Sequence, residues 1–175
     1  ATLERVLREM RPEQVTKEVV ASGILGETMV KRFPWSGRTR PMVDGNAEVV
    51  LNRTWRPALS ITGADGLPPI ANAGNVLRPA TKLKLSLRIP PTLDGEQATA
   101  ELKTLLEADP PHGATVRFEP DQGATGWNAP ATATWLADAI DASSRTFYGQ
   151  PSGALGEGGT IPFMGMLGKQ FPEAQ

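Results

Sequence analysis

A glycine-rich run, Gly153-Ala154-Leu155-Gly156-Glu157-Gly158-Gly159-Thr160, is the first stretch of this sequence whose residue types suit chemistry. Successive glycines let backbone N–H groups converge on an anion at a helix start, and Thr160 adds a hydroxyl. The run lacks the Lys-Ser/Thr pair of a phosphate loop and the strand-turn-helix surroundings of a dinucleotide fingerprint. Taken alone, it describes a structural turn. Arg88 lies in step with Lys82, Lys84 and Ser86 on the polar side of an alternating segment. A guanidinium there can grip a carboxylate with two parallel bonds, although pattern alone favours a solvated strand face. Asn75, in Ala73-Gly74-Asn75-Val76, has the setting of a turn residue. His112 stands in a Pro-Pro-His-Gly turn, Trp127 and Trp135 suit packing, and Glu157 and Asp138 have no evident acid–base partner. Asn52-Arg53-Thr54 spells a glycosylation sequon, which we take as chance because nothing here signals secretion.

Composition narrows the chemistry further. The 175 residues contain no cysteine and one histidine, so disulfides, thiolate zinc sites and His-rich metal sites drop out. A serine triad would have to use the turn-borne His112, which disfavours it. Lys and Arg number 18 against 19 Asp and Glu, a net charge of −1 without long runs of one sign. That balance argues against nucleic-acid partners and a polybasic membrane anchor. Apolar stretches of four or five residues are too short to span a membrane, and the charged opening of the chain is no signal peptide. A cytoplasmic location is expected. The start at Ala1, without Met, is expected to mark an internal piece of a longer protein.

The elements that must position these residues follow from periodicity. Leu3, Val6, Leu7 and Met10 repeat at helical spacing over 2–10, and Val15, Val19 and Val20 continue the pattern after Pro12. Breakers from Phe33 to Asn46 predict a loop-rich excursion at about 31–46, and Ala47 to Trp55 fits helix or strand. Leu59, Ile61 and the Gly63–Gly66 turn suggest a strand. Lys82 to Ile89 alternates strictly and predicts a half-buried antiparallel strand with its leucines in the core, stopped by Pro90–Pro91. Asp94 or Thr92 caps a helix to about Ala108 with Ala98, Leu102, Leu105 and Leu106 buried, and Thr115 to Glu119 alternates as a further strand. After the turn-rich Gly123–Asn128, Ala133, Leu136, Ile140 and Phe147 space a helix ending at Gly149, and a short apolar element follows Pro162. The order is that of an α+β open-faced sandwich, ferredoxin-like, with an antiparallel sheet and helices on one face. One helix and one loop cannot bury a core by themselves, so 124–175 reads as an incomplete second unit after a first one over 1–121.

Four segments carry a more specific signal in their order and spacing. They are Arg56-Pro57-Ala58-Leu59-Ser60-Ile61-Thr62-Gly63, Gly74-Asn75-Val76-Leu77-Arg78-Pro79, Lys84-Leu85-Ser86-Leu87-Arg88-Ile89-Pro90-Pro91 and Gly156-Glu157-Gly158-Gly159-Thr160-Ile161-Pro162-Phe163. Together they resemble the dizinc exopeptidases of metallopeptidase family twenty, which holds carboxypeptidase G, carnosinase-like dipeptidases and aminoacylase. The likeness covers most of 51–167 and is weak before 50.

The resemblance implies that 1–121 is mostly the lid, which is also the dimerisation domain, and that 124–175 begins the return to the catalytic domain. It implies a homodimer formed through the lid. Asn75 and Arg88 match lid residues that contact the substrate's carbonyl and carboxylate. Gly159 and Thr160 match the loop that binds the substrate's C-terminal carboxylate. The complete parent would use zinc to hydrolyse an amide bond in a small peptide or an N-acyl amino acid. Its metal ligands, general-base Glu and transition-state His match no position here, so the chain alone is expected to bind no zinc, to hold no catalytic residue and to be inactive. The alternative is a free-standing, non-catalytic α+β module that binds a partner or a small ligand.

Overall fold

The computed structural model describes residues 23, 27–121, 123–156 and 161–174. The helices expected over 2–10 and after Pro12 lie outside the described residues, as do Glu157, Gly158, Gly159 and Thr160. Helix α1 (Glu27–Arg32) leads into the expected loop. There Phe33 and Trp35 meet in a tilted contact with ring centroids 4.8 Å apart, and the Trp35 indole N–H donates to the Val30 carbonyl at 2.8 Å.

The segment left open between helix and strand is helix α2 (Asn46–Thr54). Val50, Leu51 and Trp55 fall at i, i+1 and i+5, close enough to one side for all three to be buried, with Val50 at 0% and Trp55 at 6% exposure. Arg56, just past the helix, reaches back to the Glu48 carboxylate at 2.5 and 3.3 Å and to Asn52 Oδ1 at 3.0 Å. That brace holds Glu48 below the usual carboxylate range, first through the hydrogen bond and then through the Arg56 charge.

Strands β1 (Ala58–Asp65) and β2 (Lys82–Arg88) form an antiparallel pair, the two-stranded sheet of the described residues. Leu59 faces Leu87 and Ile61 faces Leu85, while Ala58 faces Arg88 and Ser60 faces Ser86, so one side is apolar and the other polar, as the alternation predicts. The register slips between Ile61 and Gly63, which lets Ala64 meet Leu83. The expected burial of that face is corrected: Leu59 and Ile61 are 62% and 63% exposed, and Leu83 and Leu87 are exposed too, leaving Leu85 half-buried. The pleat is dictated locally, whereas burial needs a layer of atoms lying across it.

Helix α3 (Gly95–Ala108) starts where expected, and Asp94 is its cap, accepting from the Gln97 N–H at 2.8 Å. Ala98, Leu102 and Leu106 are half-buried, but Leu105 faces outward. The strand expected over Thr115–Glu119 is absent among the described residues. Its backbone turns to α3 instead, where the Phe118 N–H donates to the Glu107 carboxylate at 2.7 Å, next to the Lys103–Glu107 ion pair. A side-chain acceptor has replaced the ladder partner that alternation alone cannot supply.

Residues 123–126 then press on the start of α3. The Gly95 N–H donates to Thr125 Oγ1 at 2.9 Å, and a Cβ on Gly95 would lie 2.6 Å from the Ala124 backbone. Helix α4 (Thr134–Tyr148) ends on left-handed Gly149 (φ 68), and α5 (Pro162–Gln170) opens with proline in its first turn. Trp127 packs so closely on α5 that a Cβ at Gly168 would collide with the indole nitrogen. The spaced residues of α4 lie open as the sheet face does: Ile140 is 47% and Phe147 79% exposed. The α+β class, with its antiparallel sheet, stands.

Candidate functional site

The hairpin carries both lid candidates. Its neck is where Asp65 faces Lys82, and the chain leaves it through Gly66 at φ +83, a conformation that disfavours any side chain. A Cβ there would also strike the Ala80 carbonyl oxygen, so the two ends of the 66–81 loop are pinned together. Asn75 sits on this loop, beyond the short helical turn Ile70–Asn72, and is exposed. Arg88 is the last residue of β2, exposed, and faces Ala58 across the ladder. Six residues along the strand separate it from Lys82, about 20 Å at the usual rise. The ladder therefore places Arg88 at one end of the hairpin and the origin of the Asn75 loop at the other. Gly159 and Thr160 lie outside the described residues.

The return segment contributes a polar junction that the sequence reading missed. Asp141, on α4, accepts from Arg145 Nε at 2.7 Å with one carboxylate oxygen. With the other it accepts from the Ser152 N–H at 2.9 Å and the Ser152 hydroxyl at 3.4 Å. The Arg145 hydrogen bond, followed by that of the Ser152 backbone, holds the Asp141 carboxyl below its usual range. The i,i+4 spacing of Asp141 and Arg145 is visible in the sequence. Its link to Ser152 is not, because that depends on how the chain turns after Gly149.

The other singled-out residues are scattered. His112 occupies an exposed turn in the left-handed region at φ 59, Trp135 is exposed on α4 rather than packed, and Asn52 serves the Arg56 brace. Among the described residues no group of three or more His, Cys, Asp or Glu side chains could hold a metal ion. Zinc therefore does not fit the described side chains. No helix of the described residues is long and apolar enough to cross a membrane.

No protein-family model matches the chain. It is 28% identical over 127 residues, 69% of its length, to the cysteinylglycine-S-conjugate dipeptidase of Corynebacterium striatum. It spans 26% of that protein's length, about a quarter. An M20 family metallo-carboxypeptidase from Sulfolobus solfataricus shares its fold with a TM-score of 0.71, over 97% of this chain and 37% of that one, at 16% identity. Human carnosine dipeptidase 1 does so with a TM-score of 0.58, over 95% of this chain and 35% of its own, at 19% identity. The sequence likeness to a dipeptidase and the fold likeness to an M20 family metallo-carboxypeptidase and a carnosine dipeptidase point the same way as the four motifs: the chain resembles M20 peptidases.

Proposed function

We propose that this chain is the substrate-gripping and subunit-pairing part of a zinc-dependent exopeptidase or amidohydrolase that cleaves a small peptide or an N-acyl amino acid in the cytoplasm. The observation that supports this reading most is the 28% identity to a dipeptidase over 127 residues. Residues 1–121 act as the lid, through which two copies pair, and 124–175 return to the catalytic domain. Zinc supplies Lewis acidity when bound, and its ligands belong to a longer polypeptide. This chain's share of the work is to bind and orient. Asn75 and Arg88 take the substrate's carbonyl and carboxylate, and Gly159 and Thr160 hold its C-terminal carboxylate.

The test is Arg88→Ala in the full-length protein, assayed on dipeptides and N-acyl amino acids with zinc supplied. Loss of a charge-assisted contact at the transition state is worth on the order of 2 to 4 kcal/mol, or roughly 30- to 1,000-fold in kcat/KM. Arg88→Lys should recover little, because an ammonium lacks the planar fork. Arg88 is exposed, so its removal opens no cavity and the melting temperature should hold. Unchanged kcat/KM in the Ala variant would reassign Arg88 to the solvated strand face. A full-length protein that hydrolyses none of these substrates would instead favour the non-catalytic module.

A further inference from the structure

Charge is nearly balanced over the whole chain and unbalanced in one place. Between Glu27 and Asp44 the sequence holds four cations, Lys31, Arg32, Arg38 and Arg40, and no acid. Lys31 turns back to Glu27 at 2.5 Å. Arg56, Lys103, Arg117 and Arg145 likewise find an acid within eight positions of themselves. Arg32, Arg38 and Arg40 make no ion pair among the described residues, and all three are exposed. The loop that carries them is folded rather than slack. The Phe33 N–H donates to the Val30 carbonyl at 3.3 Å, and the Trp35 backbone N–H to that of Phe33 at 2.8 Å. The Thr39 N–H and hydroxyl both donate to the Ser36 carbonyl, closing a turn over Gly37 at φ 58. The Trp35 ring leans on Phe33, yet Trp35 and Phe33 stay 37% and 61% exposed.

We propose that the segment 32–42 is a docking loop for an acidic segment of a partner protein, whose carboxylates pair with Arg32, Arg38 and Arg40 and whose apolar side chain rests on Phe33 and Trp35. Three of the four cations are arginines, planar forks that take a carboxylate two bonds at a time. Turns that already hold the loop lower the ordering cost of binding, and exposed aromatics next to arginines have the composition of an interface centre. A lipid surface fits less well, because an interfacial tryptophan offers its N–H to headgroups and this one is committed to Val30. A nucleic acid also fits less well. Rings that lean on each other leave less open face for a base, and four cations fall short of an extended basic footprint. The loop uses neither Asn75 nor Arg88, so the proposal stands apart from the peptidase reading.

The probe is a short fluorescein-labelled peptide with glutamates and aspartates flanking a leucine, titrated with the full-length protein and followed by anisotropy. The wild type should bind it saturably below about 100 μM, and raising salt from about 0.05 to about 0.5 M should weaken binding about tenfold. Combining Arg32→Gln, Arg38→Gln and Arg40→Gln should weaken it at least about tenfold at low salt, with the melting temperature unchanged because the three side chains are exposed. The corresponding triple Lys variant should recover only part of the loss. Trp35→Ala should cost about threefold. A peptide that fails to bind the wild type, that binds the triple Gln variant or the Trp35→Ala variant as well as the wild type, or that binds equally with its acids replaced by amides would overturn the proposal. Tighter binding of oligothymidylate, or of vesicles of phosphatidylserine in phosphatidylcholine, through the same three arginines would overturn the assignment to an acidic protein segment.

Discussion

Helices α2 and α4 obey the same rule and end differently. Both are helices that space their apolar residues along one side. On α2, Val50, Leu51 and Trp55 are buried. On α4, Ile140 and Phe147 stay open, and no residue of the helix is fully buried. Helical spacing is a property of the segment, while burial is a property of what lies against it. The hairpin repeats the lesson, with a correct pleat and an exposed row of Leu59, Ile61, Leu83 and Leu87. The chain spans 37% of the metallo-carboxypeptidase whose fold it shares. Under the proposed function, the open faces of α4 and the sheet are where the rest of such a protein, or its second copy, would lie.

The largest expected effect lies on the closed side. Trp55→Ala should cost about 3 to 5 kcal/mol in a urea melt, since it empties a fully packed indole site. Trp55→Phe should cost much less, because the buried indole N–H finds no hydrogen-bond partner among the described residues and nothing polar is lost with it. A cost for Trp55→Ala no larger than that of a surface change would show that α2 is as open as α4 and would break the comparison.

Gly95→Ala comes next. Its Cβ would lie 2.6 Å from the Ala124 backbone, so either the strap of 123–126 or the start of α3 must shift, at about 1 to 3 kcal/mol. Loss of the Gly95-to-Thr125 bond in hydrogen exchange would accompany it. Asp94→Ala removes the cap of the same helix and should lower the melting temperature by less than Gly95→Ala does.

Acid should weaken this cap in the wild type as well. The Gln97 backbone hydrogen bond holds the folded Asp94 carboxyl below its unfolded value. Its contribution is therefore complete above the unfolded pKa, about 4, and is lost as pH falls through the folded one. Glu107 and Asp141 are lowered too, mainly by Lys103 and Arg145, so all three act in the same direction. Melting temperatures taken from pH 7 down to pH 3 should fall in the wild type and fall less steeply in Asp94→Ala. Parallel slopes would remove Asp94 from the account.

The smallest effect is expected at Phe147. In the chain as it stands, Phe147→Ala should change stability by no more than about 0.5 kcal/mol, as for any open side chain. In a longer polypeptide that covers α4, the same substitution should cost about 3 to 5 kcal/mol. Equal small effects in both settings would mean that nothing covers this face.

The legible parts of this molecule were those written over a few neighbouring residues. Alternation from Lys82 located β2, the capping types at Thr92 and Asp94 announced α3, and Gly149 ended α4 where expected. Thr115–Glu119 misled because its alternation matches a strand, yet the hydrogen bonds that make one must come from elsewhere. Its Phe118 N–H found the Glu107 carboxylate first. Periodicity also left α2 undecided, since nine residues with adjacent Val49, Val50 and Leu51 satisfy either period. In the candidate site, types and order placed Asn75 and Arg88 on the hairpin. The Asp141–Ser152 junction escaped because it joins residues 11 apart through a turn whose course no local pattern dictates.

The pinned neck at Gly66 and Ala80 bears on how such a protein could change its preferences. A loop whose two ends are already held together adds little closure entropy when it grows, about 0.6 kcal/mol for each doubling of length. The stretch between Gly66 and Ala80 can therefore be lengthened, shortened or exchanged for a foreign sequence while the ladder from Asp65–Lys82 to Ala58–Arg88 keeps its register. The hairpin behaves as a handle with an interchangeable tip, and Asn75 rides on the part that can be replaced.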